Sequence, residues 1–241
     1  MRYGILSDIH ANAEALEAVI NVLLEKGIKD FLCCGDTVGY GADPKRCLNA
    51  LKRLKAVHIA GNHDWAVSGR IDATYFTEDG KAAILWTRNN ISLEEINYLN
   101  NFELTYKNKH LILVHATLDD PLRYDYLNKI SKCAATFNVM DKPVCFIGHT
   151  HIPQIFIQQG HNIYNTQQTE IEINPENKYI INVGSVGQPR DNNPMASYAI
   201  YDTDQQLVEI KRVRYNVLSA QKAILEAGLP AKLAQRLTTG E

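Results

Sequence analysis

The sequence predicts an α/β protein in which two sheets pack together with helices on their outer faces. Over residues 2–60, short apolar runs alternate with helical segments in the order strand–helix–strand–helix–strand, which is the alternation of an α/β fold. After residue 150 the residues alternate between polar and apolar, with turn residues between the segments, which is typical of strands. No linker, repeat or low-complexity segment divides the 241 residues, so we expect a single domain over 1–241.

Ten segments are predicted as strands. Five are short apolar runs bounded by polar or turn residues, as buried strands are: RYGILS (2–7), DFLCC (30–34), AVHIA (56–60), LILV (111–114) and VCFI (144–147). Five later segments alternate in the manner of half-buried strands: QIFIQQ (154–159), TEIEIN (169–174), KYIINV (178–183), SYAIYD (197–202) and QLVEIKRVRY (206–215).

Apolar periodicity and end signals predict the helices. Helix 12–26 has Asn12 as its N-cap and Gly27 just past its end, and its apolar residues form one stripe. A mainly helical lobe is expected near 65–105, and two short amphipathic helices near 216–237. The other predicted helices are 44–54, 78–90, 92–101 and 130–139.

Composition excludes several classes of protein. With 25 Lys+Arg against 27 Asp+Glu, the net charge of −2 gives no basic surface for duplex nucleic acid or an anionic membrane. No apolar run approaches the roughly 18 residues of a membrane span. Five cysteines, two of them adjacent, make a poor disulfide framework, and Met1 is not followed by a signal-peptide hydrophobic region. A cytoplasmic enzyme is therefore expected.

Side chains that can bind metal follow five of the predicted strands. They are Asp8 and His10, Asp36, Asn62, His115, and finally His149 and His151. The carboxyl ends of strands are where open α/β sheets place their binding sites. Because residues i and i+2 of an extended chain point the same way, we expect Asp8 with His10, and His149 with His151, to act as pairs.

The types of donor indicate the metal chemistry. Seven oxygen or imidazole donors without a thiolate are too many for one tetrahedral zinc, and they suit divalent Mn, Fe, Zn, Ni or Mg. If Asp36 bridges, the set divides into two metals with open positions for water, which is the arrangement of two-metal hydrolytic sites. We expect two divalent metal ions per chain, with Mn²⁺ favoured.

The motifs as a set resemble those of the calcineurin-like metallophosphoesterase superfamily. The motifs that carry this resemblance are DIH (8–10), GD (35–36), GNHD (61–64), His115 and GHTH (148–151). Three further segments are similar to a bacterial subgroup described as diadenosine-tetraphosphatase-like or serine/threonine-phosphatase-like: GDTVGYGADP (35–44), NVGSVGQPRD (182–191) and the terminal GLPAKLAQRL. The resemblance implies a four-layer α/β/β/α sandwich of two mixed sheets flanked by helices.

The resemblance also implies roles for individual residues. One metal would be held by Asp8, His10, Asp36 and His151, and the other by Asp36, Asn62, His115 and His149. His63 stands at the position of the family's catalytic acid, and Asp64 beside it is expected to orient it.

The expected activity is hydrolysis of a phosphate ester by a metal-bridging hydroxide, with His63 protonating the departing oxygen. His63 could instead only donate a hydrogen bond to the phosphate. The substrate would be a small phosphodiester, phosphomonoester or nucleotide, and a dinucleoside-polyphosphate hydrolase and a protein serine/threonine phosphatase both fit. The alternative from another class is a non-catalytic metal-binding scaffold, as a retromer-associated relative in the superfamily is thought to be.

Three further residues are candidates for substrate binding: Asn12, Tyr40 and Arg190. The helix opened by Asn12 could present backbone N–H groups to a phosphate, although Asn12 could equally be a simple N-cap. Arg190 lies in a Gly/Pro-rich loop from which it could reach a phosphate. A group of Arg123, Tyr124 and Tyr126 could clasp a nucleoside, but packing at the surface is favoured for them.

Overall fold

The computed structural model describes residues 1–241 and contains two six-stranded sheets with eight α-helices. The strands are β1 (Arg2–Leu6), β2 (Asp30–Cys33), β3 (Val57–His58), β4 (Thr105–Lys107), β5 (Leu111–Val114), β6 (Val144–Ile147), β7 (Gln154–Gln159), β8 (Asn162–Thr166), β9 (Glu170–Glu172), β10 (Lys178–Asn182), β11 (Ala196–Asp202) and β12 (Leu207–Val213). The helices are α1 (Ala13–Glu25), α2 (Pro44–Arg53), α3 (Asn62–Ser68), α4 (Glu78–Asn90), α5 (Leu93–Asn100), α6 (Cys133–Val139), α7 (Val217–Glu226) and α8 (Ala231–Thr239). None of these helices is long and apolar enough to cross a membrane.

Both sheets are mixed. The first has the order β3-β2-β1-β11-β12-β9, in which β1, β2 and β3 are parallel and the other pairs are antiparallel. The second has the order β4-β5-β6-β10-β7-β8, in which β5, β6 and β10 are parallel. Each sheet therefore has a parallel half, and the carboxyl ends of those strands carry the polar motifs.

Three hydrophobic cores separate the layers. A core of 19 buried residues takes side chains from the facing sides of the two sheets, including Ile5, Phe146 and Tyr201. A second core joins the first sheet to α1 and α2, and a third packs α6 through Phe137 against the second sheet. This order of layers confirms the predicted α/β/β/α sandwich.

The lobe between β3 and β5 has a core of its own. Helices α3, α4 and α5 pack around 11 buried residues, including Trp65, Ile84 and Leu99. Helix α5 begins with a capping box in which Ser92 and Glu95 bond each other's backbone, as their spacing predicts.

The strand predictions were wrong in three places. Strand β3 is shorter than the predicted 56–60, because the chain turns into α3 directly after a short loop. Two edge strands, β4 and β8, were not predicted. Strand β8 reads NIYNT and is mostly exposed, so its alternation is too weak to distinguish it from a polar loop.

Replacing Phe146 by Ala should strongly destabilise the protein. Phe146 and Tyr201 are both fully buried, and their ring centroids lie 5.7 Å apart across the space between the two sheets. Removing a buried aromatic side chain costs about 3–5 kcal/mol of unfolding free energy. Urea denaturation should show this loss, whereas Leu218→Ala, at a position that is 78% exposed, should stay within about 0.5 kcal/mol of the parent. Equal stability of the two variants would contradict this account of the inter-sheet core.

Candidate metal centre

The seven predicted metal donors meet at one edge of the sandwich. Asp8 and His10 follow β1, Asp36 follows β2 and Asn62 opens α3 after β3. From the second sheet, His115 follows β5, and His149 and His151 follow β6. Because the parallel strands of both sheets end here, residues far apart in the chain converge into buried groups.

The first group contains Asp8, His10 and His151, with donor atoms within 4.8 Å of one another. The Nδ1 atoms of both rings contact backbone carbonyls, His10 at 3.2 Å from Val38 and His151 at 2.5 Å from Gln188. A carbonyl oxygen only accepts, so each Nδ1 carries the hydrogen and each Nε2 carries a lone pair. Burial also lowers the pKa of both rings, which keeps them neutral.

The two Nε2 atoms nevertheless lie only 3.1 Å apart. In the tautomers that the backbone carbonyls favour, two lone pairs face each other and repel. A cation held by both nitrogens would turn the repulsion into attraction. This arrangement is that of metal-ligating imidazoles, in which a backbone carbonyl fixes the tautomer and the other nitrogen binds the ion.

The carboxylate of Asp8 completes this group. Its Oδ2 accepts hydrogen bonds from the Ser7 hydroxyl at 2.7 Å and from the His149 backbone N–H at 3.0 Å. Its Oδ1 is buried without any hydrogen-bond partner and lies 3.3 Å from His151 Nε2. Burial opposes ionisation, but His151 and His115 hold the pKa of Asp8 below its ordinary value. A buried negative oxygen without a partner is costly, and a metal ion would satisfy it.

The second group contains Asp36, His115 and His149. The Nδ1 of His115 donates to the Cys34 carbonyl at 2.7 Å, and its Nε2 lies 3.3 Å from Asp36 Oδ2 and 3.2 Å from Asn62 Oδ1. Burial acts to lower the pKa of His115, but the Asp36 carboxylate outweighs this effect and raises the pKa to about 9. This group thus favours positive charge next to Asp36.

Asp36 lies between the two groups. The distance from its Oδ2 to His10 Nε2 is 3.7 Å, so one carboxylate oxygen faces an imidazole of each group. All five cysteines are buried and free, and none belongs to either group. The residues therefore fit hard or borderline divalent cations bound by oxygen and nitrogen, with Asp36 available to both groups.

The expectation of extended backbone at the paired motifs was wrong. Asp8, His10, His149 and His151 all have left-handed φ angles, between 48° and 65°. The chain turns sharply at each of them, and hydrogen bonds from Asp8 N to Gly35 O and from His10 N to Asp36 O fix the turn. As a result Asp8 and His10 share a group, but His149 and His151 point into different groups.

Two glycines allow the donors to approach one another. A Cβ on Gly61 would collide with the carboxylate and the backbone N of Asp36, and a Cβ on Gly148 would collide with Ser7 Oγ and Asp8 Oδ2. Both glycines precede donors in the motifs, and each leaves space that a neighbouring carboxylate fills. Close approach of the backbone is the reason for glycine at these positions.

Asp64 does not orient the His63 ring, contrary to expectation. Its carboxylate accepts backbone N–H groups from Thr37 at 2.9 Å, Val38 at 3.2 Å and Gly61 at 3.2 Å. Burial and the nearby Asp36 raise the pKa of Asp64 to about 7, which these N–H groups oppose. Asp64 therefore ties the Asp36 loop to the start of α3, and it positions His63 only through the backbone.

His63 lies beside the first group and forms a third group with His10 and Asp36, in which donor atoms of the three residues are within 4.8 Å of one another. Its backbone N–H donates to Asp36 Oδ1 at 2.8 Å, and its Nδ1 is buried without a partner. The ring packs against Tyr40, Phe76 and His10 with centroid distances of 4.3, 4.8 and 4.9 Å. Burial lowers the pKa of His63 to about 4. No protein atom uses its Nδ1, so either ring nitrogen can carry the single N–H of the neutral ring.

A cleft of about 640 Å³ opens onto these groups. Asp36, Asn62, His63, His149 and His151 line it, as do Tyr40 and Arg190. Asn12 does not line it: its Oδ1 caps α1 by accepting from Ala15 N, and its Nδ2 donates to Gly187 O. The structure thus uses Asn12 as an N-cap, and both of its polar atoms are occupied.

Sequence reasoning missed one outer wall of the cleft, and in the other wall it named three residues as possible contacts of a nucleoside but favoured surface packing for them. One wall comes from the lobe and includes Arg70, Ile71, Asp72, Tyr75, Phe76 and Thr77. The other includes Leu122, Arg123, Tyr124 and Tyr126, for most of which surface packing had been favoured. No spacing or motif marks these residues, because they reach the site only through the packing of the lobe and of the loop after β5.

Comparisons with known proteins agree with this fold. The protein MJ0912 of Methanocaldococcus jannaschii, which is uncharacterized, is 38% identical over 241 residues, covering 98% of this chain and 97% of that protein. The crystal structure of a metallophosphoesterase from Sphaerobacter thermophilus is 34% identical, with 100% of both chains covered and a TM-score of 0.85. The hypothetical protein PH1004 of Pyrococcus horikoshii shares the fold at 19% identity, with a TM-score of 0.81 over 100% of this chain and 98% of that one. A family model for the calcineurin-like phosphoesterase superfamily domain matches residues 1–206, so the chain belongs to that superfamily, as its motifs predicted.

Proposed function

We propose that this protein is a dinuclear metal-dependent phosphoesterase that hydrolyses a small phosphate ester. The observation that carries the proposal is the pair of imidazole Nε2 atoms 3.1 Å apart beside the unpartnered Asp8 Oδ1. A cation would bind all three atoms, and they lie at the base of a cleft of about 640 Å³ that can admit a small substrate. Membership of the phosphoesterase superfamily supports the same chemistry.

Two sets of residues would hold the metals. Asp8, His10, Asp36 and His151 would bind one ion, and Asp36, Asn62, His115 and His149 the other. When bound, two divalent cations supply an activated water and neutralise charge on the phosphate oxygens. Mn²⁺ suits this oxygen and imidazole set, and Fe, Zn, Ni and Mg are compatible with it.

Arg190 would help to hold the phosphate. One of its terminal nitrogens donates to Gln188 Oε1 at 2.9 Å, while its Nε is buried without a partner. Its guanidinium lies 5.6 Å from the centre of the Tyr40 ring, which lines the same cleft. An arginine held at its end by one hydrogen bond keeps other donors for an anionic oxygen. Tyr40 supports the guanidinium and packs against His63.

His63 would supply the proton for the departing oxygen. Its ring lines the cleft, and the protein leaves one of its nitrogens without a partner. A neutral imidazole carries one N–H that it can donate, and a bound phosphate anion would favour its protonated form. The neighbouring Asp64 and Asp36 fix the position of this ring through the backbone.

Adding Mn²⁺ to metal-free protein should bind two equivalents and raise the melting temperature. A ligand present at 100 times its Kd stabilises the folded state by about 2.7 kcal/mol. Isothermal titration calorimetry and thermal denaturation would measure both effects. Asp36→Asn should weaken both binding events because Asp36 faces both groups. Asp72→Asn, which changes an exposed carboxylate of the cleft wall, should still bind two equivalents. A single equivalent in the parent would contradict a dinuclear site.

Hydrolysis of bis-p-nitrophenyl phosphate and p-nitrophenyl phosphate should require the metals. With Mn²⁺ we expect release of p-nitrophenol, loss of the rate on adding EDTA, and its recovery on restoring Mn²⁺. Asp36→Asn should lower kcat by at least about 100-fold, while Asp72→Asn keeps it. A rate that chelation and Asp36→Asn leave unchanged would exclude the proposed chemistry.

His63→Ala should bind both metals and lose most of its turnover on poor leaving groups. Loss of a general acid lowers the rate by about 100- to 10,000-fold. The loss should be smaller for p-nitrophenyl esters, since p-nitrophenolate departs without help from a proton. His161→Ala, an exposed histidine outside the site, is the matched control. Parental rates of His63→Ala toward an alkyl phosphate ester would contradict the role of acid.

A further inference from the structure

The outer part of the cleft is unusually rich in exposed apolar side chains. We call this part the aromatic mouth and define it by Tyr75 and Phe76 on the lobe and Leu122, Tyr124 and Tyr126 on the loop after β5. Tyr75 is 87% exposed, Leu122 58% and Tyr126 48%. Large apolar groups gathered around one opening, rather than scattered singly, mark a binding surface.

Tyr126 forms a flat platform above the metal donors. Its ring stacks on the ring of His149 with a centroid distance of 4.3 Å and an interplanar angle of 21°. One face of Tyr126 is thus covered by a metal donor, and about half of the residue remains exposed to the cleft. A planar ligand group can stack on such a platform while its phosphate lies at the donors.

Tyr124 has a strained backbone conformation and a hydroxyl without a hydrogen-bond partner. Its φ is 51°, a left-handed angle that is uncommon for a bulky residue, and such strain is concentrated at ligand-binding sites. Its hydroxyl is buried without a hydrogen-bond partner, and its ring lies 5.9 Å from His115 and 6.3 Å from His149. This hydroxyl is therefore a buried polar group without a partner, on a residue that lines the cleft.

The mouth also carries positive charge. Arg70 is held by a hydrogen bond to Asn100 O and by the ring of Trp65 at 4.2 Å, and Arg123 pairs with Asp125 through its Nε. Each guanidinium keeps further N–H donors. The walls also contain one carboxylate, that of Asp72, and Arg123 is already paired with Asp125, so Arg70 is the arginine of the walls without an ion pair. The occupant should thus combine a planar apolar part with oxygens that accept hydrogen bonds from guanidinium groups.

We propose that the aromatic mouth binds the base of a nucleotide whose phosphate lies at the metal donors, so that the substrate class is nucleotides and their phosphate esters. The substrate class rests on the proposed function, but binding of the base does not need turnover. The cleft, at about 640 Å³, is of the size that encloses a drug-sized molecule rather than phosphate alone. The rings match a base, and the arginines match further phosphate groups. The unpartnered Tyr124 hydroxyl matches a sugar hydroxyl.

The test compares a nucleotide with a ligand that lacks the base and with one that lacks both the base and the sugar. Calorimetry with Mn²⁺-loaded protein would measure the Kd of adenosine 5′-monophosphate, ribose 5-phosphate and inorganic phosphate. Stacking of a base is worth about 1–3 kcal/mol, so the nucleotide should bind roughly 5- to 150-fold more tightly than ribose 5-phosphate. Tyr75→Ala combined with Tyr126→Leu should remove this preference, because the second change removes the platform, and Tyr75→Phe should keep it. Tyr164→Ala, an equally simple change at a tyrosine outside the cleft that is 42% exposed, should also keep it.

The outcomes separate this inference from the proposed function. Equal Kd values for the nucleotide and ribose 5-phosphate, or a preference that survives Tyr75→Ala combined with Tyr126→Leu, would overturn the base site. Phenyl phosphate binding more tightly than the nucleotide would also overturn it, in favour of a site for simple aryl esters. If a Tyr75-dependent preference is found in a protein that hydrolyses no ester, the base site stands and the proposed catalysis fails.

Discussion

The structure depends on holding several electron-pair donors against their mutual repulsion. His10 Nε2 and His151 Nε2 face each other at 3.1 Å, with the bare Oδ1 of Asp8 beside them. Each donor would be more stable in water or bonded to a proton. The fold prevents both, because the two sheets bury the donors and because backbone carbonyls occupy the Nδ1 atoms. A group of donors held in this way favours the binding of a cation.

Parallel strands that end at the same edge of the sandwich bring these donors together. Three strands of one sheet and two of the other deliver donors at one edge, and left-handed turns at Asp8, His10, Asp36, His149 and His151 aim them inward. Left-handed backbone at non-glycine residues costs of order 1–3 kcal/mol each. Hydrogen bonds between the loops, such as Gly187 N to Asp8 O, and the core of 19 residues between the sheets offset that cost. Gly61 and Gly148 also allow the donors to come together, since any larger residue at either position would displace a carboxylate.

Sequence patterns predicted the α/β/β/α layers and the seven donors because both are local signals. Apolar runs mark strands, and Asp, Asn and His directly after them mark the site. The family resemblance implied that His149 and His151 serve different metals, but their spacing alone could not predict it, because their backbone leaves the extended region only under constraint from neighbouring loops. Nor could the pattern show that Asp64 bonds Thr37, Val38 and Gly61 instead of His63, since those contacts join segments distant in the chain. Tyr75 in particular carries no sequence signal: an exposed tyrosine in a helical lobe gains meaning only when the lobe is placed beside the cleft.

The metal donors can be recognised in the sequence and the residues of the aromatic mouth cannot, and this difference has a physical reason. The metal donors must satisfy strict geometry, so their residue types and spacing are fixed and can be recognised in a sequence. The aromatic mouth makes looser contacts through ring faces and guanidinium groups, which many residue types at many positions can supply. Its two walls come from segments outside the sheets, the lobe after β3 and the loop after β5, where the chain can vary without disturbing the donors. If the proposed function holds, the reaction takes place at the strand ends, and the lobe and the loop that cover them select the substrate.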